Sequence, residues 1–180
     1  MTPAVIDRWT ERSGVRIHYL DNSPAAPVGL PILFSPGFSD LASDYEALLP
    51  FFAPRRLLVV EVRGRGLSES PADGYTAADH RRDLEAVLDA AGVERFHLMT
   101  FSRGTTWGLD TAIARYDRVE SVSIGDYRPR EIALDSSHIE QFLGNRFRGR
   151  PTIERMARKF SHTASGTDGS AADHMVMMSP

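Results

Sequence analysis

At 180 residues, 42% of them apolar and 25% charged, the chain has the size and composition of one globular domain able to bury a substantial core. A formal net charge of −3 provides no global basic field to gather nucleic acid or an anionic membrane, and the lack of cysteine excludes disulfides, thiolate catalysis and cysteine-ligated zinc. The opening residues carry neither the basic stretch nor the apolar run of a signal peptide, and no later run approaches the roughly 20 apolar residues of a membrane span, so a soluble, cytoplasmic protein is expected.

Residues 7–12 and 15–21 flank Ser13-Gly14, a turn signal, and the second segment alternates apolar with polar residues, which predicts an opening hairpin. Residues 31–35 form a short continuous apolar run suited to a strand buried on both faces, followed at once by the turn Pro36-Gly37. Over residues 40–52, Leu41, Tyr45, Leu48, Leu49 and Phe52 recur three or four apart and predict a helix closed by Pro54. Residues 57–62 read as the next strand, β-branched and almost wholly apolar. Thr76 caps a long helix over 77–91, with Asp79 as its acidic partner, Gly92 just beyond its end, and Leu84, Val87, Leu88 and Ala91 as its inner stripe. Residues 96–100 read as a strand, 103–116 as a helix and 119–124 as a further strand, so strands alternate with helices at lengths that fit right-handed crossovers. The fold class is therefore α/β: a mostly parallel central sheet of about six strands, an N-terminal antiparallel hairpin, and helices on both faces. Residues 1–127 form this core, 128–160 read as the start of a lid-like helical segment, and 161–180, rich in Ser, Thr, Gly and Ala, as a disordered tail. No repeat of fixed period is present.

Three segments carry chemistry. Thr100-Phe101-Ser102-Arg103-Gly104 lies between an apolar strand and a helix and matches G-x-S-x-G with its first glycine replaced by threonine, so Ser102 falls on a sharp turn that lifts its hydroxyl above the sheet edge. The alternative is that Ser102 merely caps the following helix. Ser35-Pro36-Gly37-Phe38-Ser39-Asp40 follows a strand directly, and a glycine-containing loop there can offer a backbone N–H to a developing oxyanion; the Phe38 and Arg103 N–H groups form the candidate pair. An ordinary strand-to-helix turn capped by Ser39 or Asp40 is the plainer reading. Glu61-Val-Arg63-Gly64-Arg65-Gly66-Leu-Ser68 is not a dinucleotide turn, because Glu69 stands where the third glycine belongs and Pro71 where a helix should open.

Together, the hairpin, S-P-G-F, V-E-V-R-G-R-G-L-S, the capped helix, T-F-S-R-G and the strand ending S-I-G-D resemble an α/β-hydrolase of the esterase, epoxide hydrolase and dehalogenase type over roughly residues 12–127. In that family the loop similar to 35–40 usually begins His-Gly, here Ser35-Pro36, and the family's D-x-R-G-x-G-x-S carries Glu61 for its aspartate. The resemblance implies a serine nucleophile at Ser102, then an acid, then a histidine, with the C-terminal part of the fold missing. Some relatives place the acid after the sixth strand, which marks Asp126 as the possible acid, against a capping or salt-bridging role. No histidine is assigned as base: His18 and His80 read as surface residues and His97 as a core residue, while His138 lies in the lid-like segment and His162 and His174 in the tail. Arg103 has three readings: pairing with an anionic substrate, pairing with Glu61 or Asp126, or plain solvation. Trp107 and Phe38 read either as an acyl pocket or as core.

Three functions are in view: a serine hydrolase acting on an ester or related acyl bond, a fold kept without a complete triad, and a small-molecule binding module. The expected partner is a small-molecule substrate, with no nucleic acid, membrane, cofactor or metal. The edge strand 119–124, from Val119 to Ile124, is apolar enough to invite self-association.

Overall fold

The computed structural model describes residues 4–127 and the backbone of a strand at Met175–Met178. Its hairpin joins β1 (Ile6–Arg12) to β2 (Val15–Asp21) through Ser13 and Gly14, which both take positive φ, 51° and 77°, as the tight reversal demands. Then follow β3 (Ile32–Ser35), a 3-10 helix (Ala42–Leu48) that runs into α1 (Leu49–Phe52), β4 (Leu57–Glu61), α2 (Ala77–Ala90), β5 (Phe96–Phe101), α3 (Gly104–Ala114) and β6 (Val119–Gly125). Met175–Met178 is β7, and the sheet order is β1-β2-β4-β3-β5-β6-β7. β4, β3, β5 and β6 are parallel, while β1, β2 and β7 are antiparallel to their neighbours.

Alternate residues of the central strands feed two cores. Leu33, Leu58, Val60 and Leu98 face α2 and α3, where they pack with Leu84, Val87, Leu88 and Trp107. Phe34, Leu57 and Val59 face the other way, onto Ala42 of the 3-10 helix and Leu49 of α1. At roughly 1.5–3 kcal/mol for each fully buried large apolar side chain, these two layers supply the main force that closes the sheet between its helices.

The order of the strands fixes where a site can form. From β3 the chain crosses to β4 on one side, and it later returns to β5 on β3's other side. The connections leaving β3 and β5 therefore lead to opposite faces, and a crevice opens between their carboxyl ends. Both chemical segments, 35–40 and 100–104, lie there.

Three expectations change. The predicted helix over 40–52 is a 3-10 helix followed by a single α-turn, because Pro50 has no N–H for the i−4 bond and the Leu49 N–H bonds back only to Glu46. The predicted tail contains β7, which pairs with Val122, Ser123, Ile124 and Gly125, so the edge expected to lie open between Val119 and Ile124 is paired within the chain over its second half. The lid-like segment at 128–160 and the tail at 161–174 lie outside the described residues.

Candidate active site

Ser102 sits between the end of β5 and the start of α3 with φ 47°, a left-handed conformation that costs a non-glycine residue about 1 kcal/mol or more. Its N–H donates to Gly125 O of β6 at 2.9 Å, and its carbonyl accepts from Thr105 N at 3.0 Å, so both adjoining elements hold the turn. Gly104 permits the approach of the helix: a Cβ there would lie 2.1 Å from Pro36 O and 2.3 Å from Ser35 O. The threonine that replaces the motif's first glycine is accommodated beneath α3. Thr100 Oγ1 shares a 2.9 Å hydrogen bond with Thr105 Oγ1, and its methyl faces Gly108, where an added Cβ would lie only 2.5 Å from it. The room a β-branched residue needs at this turn is thus provided by a glycine eight positions later.

The loop after β3 lies against this turn, since a Cβ on Gly37 would come within 3.3 Å of Ser102 Cβ. Asp40 folds back on the loop instead of capping the next helix. Its Oδ2 accepts from Gly37 N at 2.8 Å and from the Tyr45 hydroxyl at 2.6 Å; burial first, and then the Asp40 carboxylate, holds that hydroxyl far above the usual tyrosine range. Arg65 Nε donates to Phe38 O at 2.5 Å, and its guanidinium stacks on the Phe38 ring at 4.2 Å. Among the described residues neither the Phe38 N–H nor the Arg103 N–H donates a hydrogen bond, so two free donors remain beside the strained serine.

Glu61 and His18 brace the Arg63–Ser68 turn from below. The buried Glu61 carboxylate, 4% exposed, accepts from Leu67 N at 2.7 Å and Ala42 N at 2.9 Å, and lies 2.8 Å from His18 Nδ1. His18 is only 2% exposed, and its Nε2 lies 2.9 Å from Asp7 Oδ1, so the expectation of a surface histidine is wrong. Burial pulls the His18 ring down, but its hydrogen bonds to Glu61 and Asp7 outweigh that and hold it above the ordinary histidine value. Burial pushes Glu61 up, and His18 with the two N–H donors brings it below the ordinary carboxylate value. Gly66 is required here, because a Cβ would lie 2.0 Å from Glu61 Oε1. Arg63 makes a buried two-pronged pair with Asp83 at 2.6 and 2.7 Å and donates to Gly74 O, tying the same turn to α2.

Asp126 follows β6 directly, also in a left-handed conformation (φ 47°), and is exposed; among the described residues its carboxylate makes no hydrogen bond or ion pair. Arg103 is exposed and pairs with neither Glu61 nor Asp126. His80, read as solvated, is 5% exposed, with its ring 4.5 Å from that of Trp107. Burial, and then Arg65 and Arg63, push it down to about 4, so it is neutral at pH 7. His97 is half-buried, with Nδ1 2.7 Å from Ser121 Oγ, close to the expected core role. His138, His162 and His174 lie outside the described residues. Two cavities open near the site. One of about 210 Å³ is almost wholly apolar, lined by residues such as Phe34, Phe52 and Met99. The other, about 350 Å³, is shared by Phe38, Trp107 and His80.

A parallel sheet reversing at β3, with a strained serine between strand and helix, defines the α/β-hydrolase class. The family model for the alpha/beta hydrolase fold matches residues 31–172, and the chain belongs to that family. It is 32% identical over 125 residues to haloalkane dehalogenase 2 of Mycobacterium tuberculosis, an alignment covering 66% of this chain and 41% of the relative. A crystal structure of an alpha/beta hydrolase from Novosphingobium aromaticivorans superposes with a TM-score of 0.67 at 30% identity, over 83% of this chain and 52% of the other. Epoxide hydrolase A from Mycobacterium thermoresistibile shares the fold, with a TM-score of 0.62 at 23% identity over 78% of this chain and 46% of the other. The chain spans about two fifths of the length of the dehalogenase. No helix among the described residues is long and apolar enough to cross a membrane.

Proposed function

We propose that the chain is a serine hydrolase acting on a carboxylic ester or related acyl bond, with Ser102 as nucleophile. The observation that carries this reading is the left-handed Ser102 between β5 and α3, flanked by two undonated N–H groups. Ser102 Oγ attacks the carbonyl carbon, the carbonyl π electrons move onto oxygen, and the Phe38 and Arg103 N–H groups hold that oxyanion. A histidine takes the serine proton and returns it to the departing alcohol, and Asp126 is the acid that orients it. Water then opens the acyl-enzyme. The nucleophile's identity supports acyl chemistry over halide displacement: a serine oxygen that displaced a halide would be left as an ether, which water does not readily cleave, whereas an acyl-serine is an ester.

One observation favours a second reading, in which the fold persists without a complete triad: the Asp126 carboxylate has no histidine partner among the described residues. A fluorophosphonate probe separates the two. Labelling of wild type that vanishes in Ser102→Ala supports the hydrolase; folded wild type that stays unlabelled refutes it and favours the second reading.

A further inference from the structure

The cavity between the α2 and α3 amino-terminal ends has an unusual charge inventory. Arg65 and Arg103 line it, and among the described residues no acidic side chain does. Arg65 is partly buried and burial holds its guanidinium below the usual arginine range, yet among the described residues its hydrogen bonds go only to the carbonyls of Phe38 and Arg63. Neither arginine has a carboxylate partner among the described residues. A desolvated cation without a counter-ion is costly, and it normally marks a place where an anion is expected. Four flat rings, Phe38, Tyr75, His80 and Trp107, make up most of the remaining wall, with Ala77 and Thr106 completing it. His80 Nδ1 and Trp107 Nε1 are buried with no hydrogen-bond partner among the described residues, and a buried polar group left without a partner is costly. At about 350 Å³ the cavity falls within the size of ligand sites.

We propose that this cavity binds a planar carboxylate, of the aromatic-acid class, between Arg65 and Arg103, with its ring against Phe38 and Trp107. Phe38 and Arg103 belong both to this cavity and to the donor pair beside Ser102, so the ligand is a free carboxylate carried by the ester substrate. That last assignment rests on the hydrolase reading; the binding itself does not.

Calorimetric titration of the full chain with benzoate, and with benzamide as its neutral analogue, tests the site. Benzoate binds with a dissociation constant below about 1 mM, and at least tenfold tighter than benzamide. Arg103→Gln, an exposed position whose change leaves the fold intact, weakens benzoate at least fivefold without altering benzamide. Arg65→Lys, which keeps the charge but loses the stacked planar fork, weakens it as well. Equal affinity for the two probes, no benzoate binding below 1 mM, or indifference to both substitutions overturns the proposal. Ser102→Ala binds benzoate like wild type, and wild type that binds benzoate but takes no fluorophosphonate label refutes the hydrolase reading alone.

Discussion

Glu61→Gln is the substitution that best probes how the fold supports the site. The change adds no volume but removes the charge and replaces one carboxylate oxygen with an NH2 group. Glu61 Oε1 accepts from Ala42 N, and Oε2 accepts from Leu67 N and faces His18 Nδ1, so whichever way the amide turns, a donor meets a donor. Charge-assisted hydrogen bonds contribute about 1.5–3 kcal/mol each, and breaking a buried pair costs about 3–5 kcal/mol, so a loss of about 3–4 kcal/mol is expected. For a domain of this size that corresponds to a fall in Tm of roughly 6–16 °C. Urea unfolding at pH 6 measures it. The His18 contribution, with its pKa raised from 6.5, is present below that value and lost as pH rises through the folded pKa. The Glu61 contribution, with its pKa lowered from 4.5, is present above that value and lost as pH falls through the folded pKa. The gap between wild type and Glu61→Gln is therefore widest between about pH 4.5 and 6.5 and narrows on either side. A double-mutant cycle with His18→Gln should return a coupling above about 1 kcal/mol. A Glu61→Gln protein within about 0.5 kcal/mol of wild type, or an additive cycle, would show that the pair is not what anchors the turn.

Three further outcomes follow from local geometry. Gly108→Ala, whose Cβ would sit 2.5 Å from Thr100 Cγ2, destabilises by about 1–3 kcal/mol in thermal melts, and Thr100→Ser on the same chain restores most of that loss by removing the opposing methyl. His80→Leu flattens the acid side of the stability profile: with the ring pushed from 6.5 to about 4, wild type loses stability as pH falls through that interval, up to about 3 kcal/mol, and the variant does not. Ser102→Gly unfolds at a higher urea concentration than Ser102→Ala, because only glycine takes φ 47° without strain; the opposite order would mean the turn is relaxed.

Where local chemistry decides structure, the chain is readable. Ser13-Gly14 forms the expected turn, and Thr76 and Asp79 close the expected capping box, with the Asp79 N–H donating to Thr76 Oγ1. Ser102 lies on its turn for the same reason: strand, serine and helix are contiguous. The burial of His80 is legible in its position, since it falls four residues before Leu84 on the stripe that continues through Val87, Leu88 and Ala91, although its polar character points to solvent. His18 was not legible. Strand alternation sends it to the face opposite Ile17 and Tyr19, and that face is covered by Glu61 and Ser68, which lie 43 and 50 residues away. The pairing of β7 with β6 is similarly remote, and a run of Met and Val specifies neither partner nor register.

The location of backbone strain makes a further argument for the site. Among the described residues four non-glycine positions take positive φ: Ser13, Ser23, Ser102 and Asp126. Ser13 turns a hairpin and Ser23 follows β2, where its N–H donates to Asp21 Oδ1; short polar side chains tolerate such bends. Ser102 and Asp126 differ, because each stands immediately after the last residue of a central parallel strand, and the strands are neighbours joined by the bond from Ser102 N to Gly125 O. A relaxed strand end would release both residues into ordinary conformations. Holding two of them left-handed side by side costs roughly 2 kcal/mol or more, and for Ser102 the bonds to Gly125 O and from Thr105 N and the close approach of Gly104 to Pro36 hold the turn. Strain concentrated at the carboxyl edge where the strand order reverses is the distribution a binding or catalytic crevice produces, and packing alone gives no reason for it to gather there.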